Sequence, residues 1–83
     1  MAKTYNWEYR DEEELHTVKL VCSYLTGKAI VTIDGTEFNI SVKPLSLRGT
    51  NQVFRLGETA AILDFPKKGE PSVIVDNAPL PKL

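Results

Sequence analysis

Along residues 28–42, KAIVTIDGTEFNISV, apolar and polar side chains alternate on both sides of an Asp-Gly pair. A period of two is the mark of a half-buried strand, and Asp-Gly between two such runs is the strongest short-range hairpin signal. With Asp34-Gly35 as a two-residue loop, Ile33 lies opposite Thr36, Val31 opposite Phe38 and Ala29 opposite Ile40. That register collects Ala29, Val31, Ile33, Phe38, Ile40 and Val42 on one face, which is the predicted core face. Thr32, Glu37, Asn39, Ser41 and Lys43 take the other, with Ile30 its apolar exception. A one-residue slip would carry Glu37 and Asn39 to the side of Val31, so the polarity pattern and the turn demand the same pairing.

The same period recurs along the chain. Residues 4–10, TYNWEYR, set Tyr5, Trp7 and Tyr9 on one side of a predicted strand and Asn6, Glu8 and Arg10 on the other. Residues 15–23, LHTVKLVCS, set His16, Val18, Leu20 and Cys22 inward, because Lys19 belongs to the opposite face. The acidic run Asp11–Glu14 has no apolar helical stripe after it and reads as a solvated loop between these two strands. SYLTG, residues 23–27, is a turn in which Tyr24 and Leu25 can be exposed.

Pro44 ends the central hairpin, since it cannot donate to a ladder, and Leu45 and Leu47 are expected to plug one end of the core. Residues 52–65 form a second hairpin about Gly57-Glu58, with Phe54, Leu56, Ala61, Leu63 and Phe65 on one face. Glycine at the first loop position suits a type II′ turn. A last turn at Asp76-Asn77 pairs Val75 with Ala78 and Val73 with Leu80. Pro79 and Pro81 then alternate with the inward residues and blunt an edge strand.

These segments predict an all-β fold: a small antiparallel β-sandwich or flattened barrel of about seven to eight short strands in up-and-down order. The 83 residues are read as one domain, 1–83. A chain of this size buries only roughly 60% of its unfolded surface, so little stability is held in reserve.

Charge removes several function classes. The net charge of −1 offers no clustered positive surface for nucleic acid or for an anionic membrane. No run approaches the ~20 apolar residues of a membrane span. The opening MAKTYNWEYRDEEEL lacks the apolar core of a signal peptide. The single cysteine, Cys22, excludes an internal disulfide and a cysteine-rich zinc site. Small secreted domains usually carry several disulfides, so a soluble, cytoplasmic protein is expected.

Candidate chemistry is sparse. His16 is the only histidine, at the start of a strand near the core rim, without the partners that a metal site or a catalytic triad requires. Cys22 falls on an inward face, where a thiol behaves as a small apolar residue rather than a nucleophile. The acidic run lacks the spaced ligands and turn glycine of a calcium loop. Neither a glycine-rich phosphate loop nor a G-x-S-x-G nucleophile turn is present. Catalytic, metal and cofactor residues are therefore expected to be absent. Trp7 and its neighbours can either lid the core or form an exposed stacking platform with Tyr5, Tyr9 and Tyr24; burial is the commoner fate of such aromatics.

In their order, these motifs resemble the Fas apoptotic inhibitory molecule family. Its domains begin with a Trp-containing strand, here Trp7, followed by a strand carrying a histidine, here LHTVKL with His16. A Thr-Gly-Lys lead-in to a strand ending at an Asp-Gly turn follows, here TGKAIVTIDG from Thr26 to Gly35. FRLGETAAI, from Phe54 to Ile62, and IVDNAPLP, from Ile74 to Pro81, are similar to later segments. The resemblance spans about residues 7–81. It implies a β-sandwich that binds partners and catalyses nothing, in a family associated with protection from death-receptor killing and from protein aggregation. Family members carry two β-domains in tandem and this sequence has one, so a death-receptor role is not carried over. No binding residue is carried over either, because the matching motifs are turns and core positions. The expected function is a non-enzymatic protein-interaction module, acting through an edge strand or self-association. Its rivals are a small-ligand or carbohydrate site on the N-terminal aromatics, and an enzyme centred on His16 and Cys22.

Overall fold

The computed structural model describes every residue except Glu13. Among the described residues the chain is all-β, in two antiparallel four-stranded sheets. The first runs β1 (Lys3–Asp11), β2 (Glu14–Ser23), β3 (Lys28–Ile33) and β4 (Thr36–Asn39) in spatial order. The second runs β5 (Thr50–Leu56), β6 (Thr59–Phe65), β7 (Ser72–Val75) and β8 (Ala78–Pro79). Each sheet is thus an up-and-down meander drawn from one continuous half of the chain. No helix of the described residues is long and apolar enough to cross a membrane.

The turns do what their residues dictate. Asp34 and Gly35 both have positive φ (47° and 83°), as do Asp76 and Asn77 (51° and 64°), so both loops twist as type I′ turns. At Gly57-Glu58 only the glycine has positive φ, which fits type II′. The predicted registers hold: Val31 pairs with Phe38, Phe54 with Ala61, and Val75 with Ala78. Asp11 and Glu14 are not in a loop; β1 and β2 run up to the turn and pair these two acids. Glu13, of the same acidic run, lies outside the described residues.

One layer of side chains fills the space between the sheets. Trp7, Val18, Leu20 and Ala29 from the first meet Leu56, Leu63, Phe65 and Val73 from the second, all fully buried. His16, Val18, Leu20 and Cys22 all point inward, as their spacing predicts. Two expected core residues are exposed, not buried. Leu45 is 74% exposed, its backbone turned outward at φ 64°, so Leu47 alone plugs that end. Phe38 is 48% exposed although it faces the interior side of β4. The reason is position: β4 is the outermost strand of its sheet, with no neighbour beyond it.

One flank of the sandwich is closed. After β8 the chain crosses to the first sheet, where Lys82 bridges Trp7 and the Leu83 amide donates to the Asn6 carbonyl at 2.9 Å. At the lower end, Arg48 fastens the 66–71 loop. Its Nη1 donates to the Pro66 and Gly69 carbonyls, and its guanidinium lies 3.8 Å from the centre of the Tyr24 ring. The turn between β2 and β3 needs Gly27, where φ is 79° and a Cβ would run into the Val42 and Lys43 carbonyl oxygens. Replacing Gly27 by alanine combines backbone strain with that clash. The expected loss is about 3 kcal/mol of unfolding free energy, read from urea denaturation.

Candidate functional site

The opposite flank is open. There β4 and β5, the outermost strands of their sheets, lie at the two lips of a groove lined by Val31, Ile33, Phe38, Ile40, Phe54 and Leu63. The chain reaches β5 from the lower end of β4 through an arch over residues 40–49, so the two strands run in opposite directions. They also stand level. The turn that starts β4, Asp34-Gly35, and the turn that ends β5, Gly57-Glu58, both abut His16.

Backbone pairing shows which groups these lips leave free. Across a two-residue loop the flanking residues exchange hydrogen bonds, and bonded pairs then alternate with unbonded ones. Thr36 and Phe38 are therefore bonded to β3, and Ile40 continues the series, its amide donating to the Ala29 carbonyl at 2.9 Å. Glu37 and Asn39 turn their amides and carbonyls toward the open side. By the same alternation Leu56, Phe54 and Gln52 are bonded to β6, while Arg55, Val53 and Asn51 face the opening. The groove is apolar inside and edged by unpaired backbone. Its volume of about 230 Å³ is below the roughly 300–1,000 Å³ of a typical small-molecule pocket.

His16 sets the alignment of the two lips. Its Nδ1 lies 2.7 Å from Asp34 Oδ2, while Asp34 Oδ1 accepts the Thr17 amide at 2.9 Å. The carboxylate thereby ties β2 to the β3–β4 turn. Nε2 is buried without a hydrogen-bond partner among the described residues and points at Gly57. A Cβ on residue 57 would come 2.8 Å from that nitrogen and 3.3 Å from an Asp11 carboxylate oxygen, so only glycine lets the two sheets close here. The imidazole is capped by backbone rather than open to a substrate. Among the described residues no group of three or more His, Cys, Asp or Glu side chains is placed to hold a metal ion.

The other sequence candidates are dispersed. Cys22 is buried at the far end of β2, and burial raises its thiol pKa, which disfavours the reactive thiolate. Tyr5 and Trp7 are core residues at 8% and 1% exposure, which removes the centre of any stacking platform. Tyr9 is half-buried against the same core. Tyr24, also half-buried, packs edge-on against Phe65 beneath Arg48, and burial pushes its hydroxyl up to about 12. A shallow basin beside Tyr24 mixes apolar lining with Lys3, Ser23, Arg48 and Glu70, but Arg48 is already committed to the loop carbonyls. The acids Asp11, Glu12, Glu14 and Glu58 share a polar cleft at the upper end.

Sequence reasoning named the groove residues but placed them in a closed core. No local signal located the opening: proline marks the β8 edge, but β4 and β5 share its absence with the central strands. No family model, no curated protein and no solved structure matches this chain.

The His16–Asp34 pair gives a pH signature. Hydrogen bonding to Asp34 raises the His16 pKa above its ordinary 6.5, against the opposing effect of burial. Burial acts to raise the Asp34 pKa, but the Thr17 amide and His16 outweigh it and hold the value below 3.8. The histidine contribution is fully present below pH 6.5 and is lost as pH rises through the raised value. The aspartate contribution is present above 3.8 and is lost as pH falls through the lowered one. Asp34→Asn keeps the turn chemistry and removes the charge. Its deficit in Tm against the parent chain should be widest between about pH 4 and pH 6.5 and should shrink at higher pH. A deficit that stays the same from about pH 5 to well above the raised His16 value would mean that the ion pair contributes nothing.

Proposed function

We propose that this chain is a non-enzymatic protein-interaction module, similar in architecture to one domain of the Fas apoptotic inhibitory molecule family. Its contact surface is the open flank between β4 and β5. The observation that carries this reading is an apolar groove whose two lips are unpaired strand edges. Such a site suits an extended segment that adds a strand: backbone bonds supply affinity, and alternate side chains enter the groove.

The family likeness gains support from one contact. His16, from the histidine-bearing strand, and Asp34, from the Asp-Gly turn, are the residues that touch at 2.7 Å. Two of the motifs that carry the likeness are therefore one structural unit. The non-enzymatic reading is supported by the backbone cap over His16 and the burial of Cys22. A buried thiol without a disulfide also fits the reducing cytoplasm, where the module is proposed to act. A net charge of −1 favours a protein partner over nucleic acid or an anionic membrane.

The reading is tested by selecting binders from a displayed library of extended peptides against the folded chain at low concentration. Selected peptides should alternate apolar and polar residues. Phe38→Ser should weaken their binding by at least about tenfold while leaving Tm within a few degrees, because Phe38 is already half in solvent. Failure to recover any Phe38-dependent peptide would remove the reading.

A further inference from the structure

The four edges of the two sheets differ in how they meet solvent. The β8 edge carries prolines, and the β1 edge is covered by Lys82 and Leu83. The β4 and β5 lips have neither device, although unprotected edges invite pairing with another chain. Their geometry is complementary to itself. β4 and β5 are antiparallel and level, as the shared contact of their turns with His16 establishes.

We propose, building on the interaction reading above, that the open flank is completed by a second copy of this chain in a symmetric dimer. A two-fold axis parallel to the strands and outside the groove preserves height and exchanges the two sheets. It sets β4 of one molecule beside β5 of the other, antiparallel, and does so twice. Each four-stranded sheet then continues into the partner's other sheet.

The register follows from the level turns. Thr36 faces the partner's Leu56, Phe38 faces the partner's Phe54, and Ile40 faces the partner's Gln52. Between them Glu37 faces the partner's Arg55, and Asn39 faces the partner's Val53. The backbone alternation agrees with this register without adjustment. Glu37 and Asn39 hold the free amides and carbonyls of β4, Arg55 and Val53 hold those of β5, and the register sets them opposite one another. Side chains agree as well. Two aromatics, the half-exposed Phe38 and the partly buried Phe54, stack across the junction on the groove side, where they cover the apolar lining. On the solvent side a carboxylate meets a guanidinium, once at each junction. A peptide of unrelated sequence could add one strand, but it would not match both lips at once.

Sedimentation equilibrium over a wide concentration range tests the proposal. The chain should dimerise reversibly. Glu37→Arg and Arg55→Glu, both at exposed positions, should each raise the dimer Kd by about tenfold or more, because each sets like charges opposite one another twice. The double reversal restores opposite charges and should return Kd to within about threefold of the parent value. Thermal melts of all three variants identify any that simply misfold. A chain that stays monomeric up to about millimolar concentration overturns the dimer, as does a dimer indifferent to the single reversals. If such a monomer still binds Phe38-dependent peptides, self-pairing alone is wrong and the interaction reading stands. If it binds none, both fall.

Discussion

Neither four-stranded meander can persist alone, because each presents one apolar face that only the other can cover. Trp7, Leu20 and Ala29 have no partner within their own sheet that would remove them from water, and neither do Leu63, Phe65 and Val73. Burying a side chain of this size is worth about 1.5–3 kcal/mol, and the sum must offset the ordering of the whole chain. The layer between the sheets is therefore the constraint to which turns, registers and closures all answer. It explains why polarity alternates in nearly every strand, and why His16, buried at the edge of that layer, is held by the Asp34 carboxylate on one side and meets Gly57 on the other.

A sandwich of two open sheets leaves two flanks, and this chain treats them differently. On one flank the C-terminal residues leave the second sheet and bond to β1 of the first, so the core there ends in hydrogen-bonded backbone. On the other, the arch over residues 40–49 crosses only at the lower end, where Leu47 is buried, and the lips above it stay apart. His16 holds the upper ends of both lips in line. The asymmetry gives one flank a structural role and leaves the other free for contact.

Much of this architecture was legible in the sequence. Period-two alternation and the Asp-Gly, Gly-Glu and Asp-Asn pairs specify local pairing, because turn geometry and side-chain sidedness are both short-range. Phe38 marks where that reasoning stops. Its side of β4 is correctly assigned, but its exposure depends on whether another strand follows β4 in the sheet, and the sequence around it carries no trace of that. Leu45 fails for a different reason: apolar residues in a loop have no period to orient them, and its positive φ turns it outward. The acidic run misled because charge suggested a loop, whereas exposed acids can sit on a strand and its tight turn at no cost in burial. The contact between His16 and Asp34 joins residues 18 apart, and only the placement of β2 beside β3 brings them together.

The division of the chain into two consecutive halves has a consequence for its birth. The first sheet is complete by Asn39, and the strands that cover it begin at Thr50. A ribosome therefore releases Trp7, Leu20 and Val31 into solvent before the strands that cover them have emerged. During that interval the nascent chain displays the kind of greasy, edge-bearing surface that chaperones capture. The short arch shortens that exposure, because the second half needs only to fold back over a waiting template.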